Sequence, residues 1–207
     1  MSTTAPTRTP VSNTATAVRR RKPFLLDLYG TAVGKKYAMA ISGIALMGFV
    51  LFHMIGNLKM YLGEAHLNEY AEFLKKLLYP LAPKESVLWI LRLGLIGMLA
   101  LHLHAAWSLT VLNRKARPVR YQSARDYQEA SLASRSMRLS GIVVLLFIVW
   151  HLLDLTFGVV NTVGTDGAFV RDEVYANVVR SFERWPVAVF YIVANLLLGL
   201  HLSHGAW

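Results

Sequence analysis

Four histidines recur along the chain at separations of 49, 49 and 50 residues: His53, His102, His151 and His201. Each lies within a different long apolar stretch. A histidine buried in hydrocarbon needs a polar partner for its ring and is therefore a candidate functional residue. One such residue is commonly explained by a hydrogen bond between helices. Four of them, one in each apolar stretch, favour the binding of a metal.

Two opposed imidazoles suit the axial positions of haem iron, whose other four ligands come from the porphyrin. A zinc site usually takes four protein ligands, and the chain has no cysteine to supply thiolates. Asp154 is the one carboxylate near these histidines, so a histidine–carboxylate metal site would lack ligands. The sequence has no C-x-x-C-H motif, so any haem would be of the b type. The alternatives are a proton relay in a transporter and histidines that only form hydrogen bonds.

Membrane-spanning helices are the elements that must position these histidines. Apolar residues make up 55% of the 207 residues and charged residues 16%, whereas a soluble domain is about one quarter charged. A helix needs about 20 apolar residues to cross a bilayer. Four stretches are long enough: residues 37–61, 87–112, 139–160 and 187–207. Because backbone groups in hydrocarbon must be paired internally, we predict an all-α integral membrane protein, a bundle of four transmembrane helices.

The depth of each histidine in its span predicts two pairs. His53 lies about 16 residues into the first span, and His102 lies about 15 residues into the second span, which runs the other way. The third span repeats the direction of the first, and the fourth repeats that of the second. His53 and His151 therefore share an outer level, while His102 and His201 share an inner level. The levels differ by about 10–15 Å at ~1.5 Å per residue.

Basic residues predict the orientation of the bundle. The segments before the first span and between the second and third spans are strongly basic, and the other two are balanced. The positive-inside rule places the basic segments in the cytoplasm, which explains the net charge of +10 without nucleic acid. We expect residues 1–34 to form a cytoplasmic tail and residues 35–207 to form the bundle. The basic residues are Arg19, Arg20, Arg21, Lys22, Lys35 and Lys36, and then Arg114, Lys115, Arg117, Arg120, Arg125, Arg135 and Arg138.

Several further residues lie near the predicted sites. His104 is about 200° around the helix from His102, so only one of the two faces the bundle, and the sequence leaves the choice open. His204 and Arg92 are candidates to contact haem carboxylates or to anchor the membrane interface. Seven glycines give room either for a flat macrocycle or for close helix packing: Gly43, Gly48, Gly56, Gly94, Gly97, Gly141 and Gly199.

Two segments on the predicted outer side read as short amphipathic helices, residues 67–78 and 172–182. The first of these segments, with the residue stretch just before it, supplies Glu64, Glu69 and Glu72. These acids are candidates to relay protons to a lipid-soluble electron acceptor at that surface. The competing explanation is that they only solvate an interfacial helix.

An ordered set of motifs resembles the cytochrome b subunit of succinate dehydrogenase and fumarate reductase, in its single-subunit, two-haem branch. The resemblance begins at about Lys35 and extends over most of the chain. The motifs are S-G-I-A-L-M-G-F-V-L-F-H-M-I-G-N-L, N-x-Y-A-E-F-L, H-L-H-A-A-W-S-L-T-V-L-N-R-K-A-R-P, W-H-L-L-D-L-T-F-G and G-L-H-L-S-H-G-A-W. The family's axial histidines fall on His53, His102, His151 and His201.

The resemblance implies two haem b groups, an outer one held by His53 and His151 and an inner one held by His102 and His201. It implies a membrane anchor of respiratory complex II in the bacterial cytoplasmic membrane, with a flavoprotein and an iron–sulfur subunit on the cytoplasmic face. Electrons from succinate, a substrate of the tricarboxylic acid cycle, would pass through this chain to a quinone, usually menaquinone in this branch. The chain would not oxidise succinate by itself.

Two features depart from the family pattern. The family has a fifth span after the fourth, whereas this sequence ends at Trp207, before the fourth helix is expected to finish. Some members carry a proton-transferring glutamate two positions before the last ligand, where this chain has Gly199. The nearest alternative function is that of a haem b subunit in another membrane oxidoreductase, such as a hydrogenase or formate dehydrogenase.

Overall fold

The computed structural model describes residues 23–116, 132–161 and 169–206. Over these ranges the chain is helical and contains no strand, which confirms the all-α fold class. A 3₁₀-helix at Leu58–Leu62 and a π-helix at Leu152–Thr156 accompany the α-helices. The α-helices are α1 (Phe24–Gly30), α2 (Ala32–Asn57), α3 (Glu64–Lys75), α4 (Ser86–Lys115), α5 (Leu132–His151), α6 (Val174–Glu183) and α7 (Trp185–Ala206).

Four helices in the described ranges are long and apolar enough to cross a membrane, as predicted: Ala32–Leu62, Ser86–Lys115, Met137–Thr156 and Trp185–Ala206. At most 11% of the residues in the most apolar window of each helix are buried inside the protein. Apolar side chains therefore face outward along most of each helix. A soluble bundle would bury such side chains and expose a polar face, so lipid is the medium that fits these helices.

The spans pack as two antiparallel hairpins, α2 along α4 and α5 along α7. The sequence repeats with this arrangement. The pattern M-x-x-S-G-I occurs at residues 39–44 and again at residues 137–142, and a histidine follows nine residues after each isoleucine. The first helix of each hairpin thus carries the same serine, glycine and histidine at equivalent positions. The two hairpins are equivalent structural units.

The shorter helices α3 and α6 join the hairpins at one end of the bundle, which we call the α3/α6 end. The Asn68 side chain in α3 accepts a hydrogen bond, at 3.1 Å, from the backbone N–H of Tyr175 in the first turn of α6. The Lys75 ammonium pairs with the Asp172 carboxylate just before α6. Because Lys75 donates a hydrogen bond to Asp172, the pKa of that carboxyl lies below its usual range and the pair stays charged at neutral pH. A cap and an ion pair thus connect α3 with α6.

The ends of the third span and of α3 differ from the predicted ones. Beyond His151 the α-helix gives way to the π-helix, and the span ends at Thr156 and not at residue 160. α3 begins before the predicted residue 67 because Gly63, with φ of 100°, starts it. It ends before the predicted residue 78 because Leu78 has φ of 64° and lies in the following turn.

The predicted second amphipathic helix, the predicted tail and the basic loop can each be compared with the described ranges. α6 lies within one or two residues of the predicted segment 172–182 at each end. The predicted tail of residues 1–34 includes α1 and the beginning of α2, and its residues 1–22 lie outside the described ranges. The basic loop residues 117–131 also lie outside them.

Gly56, near the end of α2, allows the Tyr70 ring of α3 to lie against the helix. A Cβ atom at residue 56 would lie 2.8 Å from Tyr70 Cε1 and 2.9 Å from its hydroxyl oxygen. We expect Gly56→Ala to lower the free energy of unfolding by about 1 kcal/mol, because the Tyr70 ring has to move away from α2. Unfolding in mixed micelles measures the loss. Gly48→Ala is the matched control, since its new methyl group would meet nothing within 4 Å. Equal losses in the two variants would contradict the prediction.

Candidate functional site

The four histidines of the sequence pattern meet in two pairs, and each pair joins one helix from each hairpin. The ring centroids of His53 in α2 and His151 in α5 lie 5.8 Å apart, with an interplanar angle of 84°. Those of His102 in α4 and His201 in α7 lie 6.5 Å apart, at 64°. Ser42 contacts the His102 ring and lies eleven residues before His53 in α2, so the pairs are about 16 Å apart along the bundle. This separation slightly exceeds the distance expected from the sequence.

The ring separation in each pair fits two imidazoles that bind one metal ion from opposite sides. A histidine nitrogen binds a metal at about 2.0–2.1 Å, and the nitrogen lies about 1.1 Å from its ring centroid, so opposed rings have centroids about 6 Å apart. Within the described ranges, no helix of one hairpin packs its backbone closely along a spanning helix of the other. The residues therefore fit a flat group held between the hairpins by two axial imidazoles.

Hydrogen-bond partners fix the protonation of the His102 ring. Its Nδ1 lies 3.2 Å from Ser42 Oγ and 3.2 Å from the Met39 carbonyl oxygen. The Ser42 hydroxyl already donates to the Ala38 carbonyl at 2.7 Å, and a carbonyl can only accept. His102 Nδ1 therefore carries the proton. Its Nε2 keeps the lone pair with which a neutral imidazole binds a metal.

His201 has the equivalent environment in the second hairpin. Its Nδ1 lies 3.3 Å from Ser140 Oγ, and the Ser140 hydroxyl donates to the Met137 carbonyl at 3.0 Å. By the same argument, Nδ1 of His201 carries the proton and Nε2 is available. Sequence reasoning missed both Ser42 and Ser140. The signal that would have found them is the repeated M-x-x-S-G-I pattern before each histidine.

Two of the seven glycines noted in the sequence lie directly against these rings. A Cβ atom at Gly43 would lie 3.4 Å from His102 Cε1, and one at Gly141 would lie 3.3 Å from His201 Cε1. These glycines allow the histidine of the second helix in each hairpin to pack against the first helix. A Cβ atom would meet nothing within 4 Å at four of the others, Gly48, Gly94, Gly97 and Gly199.

At the α3/α6 end, a polar cluster surrounds Asp154, whose side chain is fully buried. Arg184 Nη2 lies 2.7 Å from Oδ1 of this carboxylate, and the Asn161 amide donates to the same oxygen at 3.3 Å. The Tyr191 hydroxyl donates to Oδ2 at 3.0 Å, and the Ser181 hydroxyl donates to Oδ2 as well. A buried charge requires such pairing. The carboxylate therefore ties α6 and α7 to the end of the third span.

The same tyrosine also contacts a histidine of the site. The Tyr191 hydroxyl lies 3.4 Å from His151 Nδ1, and the wider π-helical turn after His151 brings Asp154 to the same hydroxyl. The described residues contain no group of three or more histidine, cysteine or acidic side chains that could hold a metal ion. The histidine–carboxylate metal site considered from the sequence is therefore not assembled. Sequence reasoning missed the Asp154 cluster, because Arg184 and Tyr191 follow Asp154 by 30 and 37 residues with no local signal.

His102 and His104 face different helices in the structure. The Tyr29 hydroxyl of α1 lies 2.5 Å from His104 Nδ1, so this ring faces α1, whereas the His102 ring faces His201. The Arg92 guanidinium lies 5.1 Å from the ring centroid of Trp89 and is exposed, as an interfacial anchor would be. His204 lies in the last turn of α7 and is half-buried.

The fold and the site define a class of protein: a multi-pass membrane protein of helical hairpins with paired histidines between them. The family model for the succinate dehydrogenase/fumarate reductase transmembrane subunit matches residues 110–206, which include the end of α4, all of α5, α6 and α7, and slightly less than half of the chain. This part of the chain is therefore similar to the transmembrane subunit of succinate dehydrogenase and fumarate reductase. No curated protein and no solved structure matches the chain significantly.

Removal of the Arg184 guanidinium would leave a fully buried carboxylate without its cation. We expect Arg184→Gln to lower the free energy of unfolding by about 3–5 kcal/mol. The double variant Arg184→Gln/Asp154→Asn should lose less than the sum of the two single variants, because the second substitution removes the unpaired charge. Unfolding of the purified protein in mixed micelles measures all three losses. Additive losses would show that the two side chains are not coupled.

Proposed function

We propose that this chain is the two-haem cytochrome b anchor of a succinate:quinone oxidoreductase. The observation that carries the proposal is the pair of histidine contacts, at 5.8 Å and 6.5 Å between centroids, each of which joins the two hairpins. His53 and His151 would be the axial ligands at the α3/α6 end. His102 and His201 would be the axial ligands at the opposite end, which we call the α1 end.

Neighbouring residues orient the His102 and His201 rings in a way that suits binding of a metal porphyrin. Ser42 and Ser140 each accept a hydrogen bond from a histidine Nδ1, which turns the Nε2 atoms of His102 and His201 away from the neighbouring helix. Gly43 and Gly141 leave room for those rings. A haem b with two imidazole ligands supplies one-electron transfer. The chain has no cysteine, and within the described ranges neither pair has a third histidine or acidic ligand, which argues against zinc at these positions.

The α1 end is proposed to face the cytoplasm and to bind the flavoprotein and iron–sulfur subunits. Basic residues concentrate there, including Lys35 and Lys36 at the start of α2 and Arg114 and Lys115 at the end of α4. This distribution follows the positive-inside rule for a bacterial cytoplasmic membrane. Electrons from succinate would enter at the α1 end and leave to a quinone at the α3/α6 end. Menaquinone is the proposed acceptor, in keeping with the resemblance to the two-haem branch.

The quinone would border α3, whose acids could exchange protons with it. Glu72 pairs with Lys76 at 3.0 Å, and the hydrogen bond from Lys76 holds the pKa of the Glu72 carboxyl below its usual range. Lys76 therefore occupies the Glu72 carboxylate, whereas Glu64 and Glu69 form no salt bridge within the described ranges. Glu64 and Glu69 are the better candidates. If all three acids only solvate the helix, none of them affects turnover.

The first test of the proposal is haem content and its dependence on each histidine. The purified complex should contain two low-spin b-type haems per copy of this chain, since both axial positions of each iron are filled. His53→Ala or His151→Ala should remove one spectral component, and His102→Ala or His201→Ala should remove the other. Optical spectra and a haem assay measure both effects.

His104→Ala is the matched control for the second span, because the His104 ring faces Tyr29. It should retain both spectral components. A colourless protein, or one haem per chain, would contradict the proposal. Loss of the same component in His53→Ala and His102→Ala would contradict the assignment of the pairs to two levels.

The acids of α3 provide a second test. We expect Glu64→Gln or Glu69→Gln to lower succinate:quinone turnover about tenfold or more, because positioned proton transfer typically contributes 10²–10⁴-fold. Glu72→Gln should have little effect, since the Glu72 carboxylate is already paired with Lys76. Steady-state assays at unchanged haem content make the measurement. Full activity in all three variants would remove α3 from proton transfer.

A further inference from the structure

We infer that Tyr191 is a positioning residue that couples the Asp154 carboxylate to His151, and that this coupling lowers the reduction potential of the haem at the α3/α6 end. The inference rests on the proposed function, because it concerns the haem ligands. It assigns a role to a buried tyrosine and a buried acid that the proposed electron path does not otherwise use.

The direction of the hydrogen bonds follows from the groups themselves. The Tyr191 hydroxyl donates to Asp154 Oδ2 at 3.0 Å, and an ionised carboxylate can only accept. The tyrosine oxygen can then act only as an acceptor toward His151 Nδ1, which lies 3.4 Å away. His151 Nδ1 therefore carries the proton, and Nε2 is left for the iron. The resulting chain runs from His151 through Tyr191 to a carboxylate.

The carboxylate is well placed to act through this chain. Asp154 is fully buried and Tyr191 is 6% exposed, so water does not screen the interaction as it would at a surface. Arg184 and Asn161 occupy Oδ1, while Tyr191 and Ser181 occupy Oδ2. One carboxylate oxygen is thus directed to the arginine and the other to the tyrosine. The positive charge of Arg184 partly offsets the negative charge of Asp154. Arg184 contacts Oδ1, however, so Oδ2 still accepts the hydrogen bond from Tyr191.

The two levels of the site differ in this respect. At the α1 end, His102 and His201 donate to serine hydroxyls and to a backbone carbonyl, which are neutral. At the α3/α6 end, His151 donates to a hydroxyl that is itself polarised by an anion. A hydrogen-bonded carboxylate makes a metal-bound imidazole a stronger donor of electron density. The oxidised iron is stabilised by such a ligand, so the potential falls.

Tyr191→Phe is the direct test, because phenylalanine keeps the ring that packs against Phe147 and Phe182 and removes only the hydroxyl. In the purified complex, a redox titration followed by optical spectra resolves the two haem components. We expect the component that depends on His53 and His151 to be about tenfold easier to reduce at a fixed potential, which corresponds to about 59 mV for one electron. The component that depends on His102 and His201 should not move.

Two further variants separate coupling from a structural effect. Tyr175→Phe is the matched control, since it removes a phenol from α6 outside the His151–Tyr191–Asp154 chain, and it should shift neither component. Asp154→Asn should shift the same component in the same direction as Tyr191→Phe. In the double variant, Asp154→Asn should shift the potential by less than it does alone, because both substitutions interrupt the same chain of hydrogen bonds. If the Tyr191→Phe protein does not accumulate, Asp154→Asn is the test. A shift of the His53/His151 component alone supports the coupling, and no shift overturns it.

The outcomes distinguish this inference from the proposed function. A wild-type complex without haem overturns both. A wild-type complex with two haems, together with a Tyr191→Phe variant in which neither component moves, overturns the coupling alone. Equal shifts of both components in that variant also overturn it, because they indicate a general change in packing.

Discussion

A polar imidazole ring in a hydrocarbon medium must find partners, and this constraint organises the bundle. Three of the rings place Nδ1 against a serine, a backbone carbonyl or a tyrosine of a neighbouring helix. Gly43 and Gly141 are needed where two of those rings approach the adjacent helix. Once Nδ1 is satisfied within a hairpin, the rest of the ring is directed toward the other hairpin. The paired arrangement follows from hydrogen bonds made inside each unit.

The same unit occurs twice, yet the two ends of the bundle are chemically different. Ser42 and Ser140 are equivalent partners of His102 and His201, and both are neutral. At the other end, the π-helix after His151 introduces Asp154 and with it a buried ion pair. A duplicated hairpin by itself would give two similar sites. The additional polar cluster makes one of them electrostatically distinct.

The α3/α6 end also holds the hairpins together. Asn68 caps α6, and the Lys75–Asp172 pair connects the end of α3 with the segment just before α6. The spanning helices of the two hairpins do not pack closely along each other within the described ranges, so these contacts and the histidine pairs are what relate one hairpin to the other. Under the proposed function, haem bound between the hairpins would add contacts between them and would thereby stabilise the bundle.

The sequence by itself determined the number and type of the spans, the four histidines within them and the levels at which they lie, because span length and helical rise are local properties. The rings that meet in the structure are those that depth pairs. Only the tertiary structure decided between His102 and His104, since that choice depends on which helix faces each ring. It also decided that Asp154 pairs with Arg184 and Tyr191. Contacts between residues 30 or more positions apart depend on how helices are oriented, which no local pattern records.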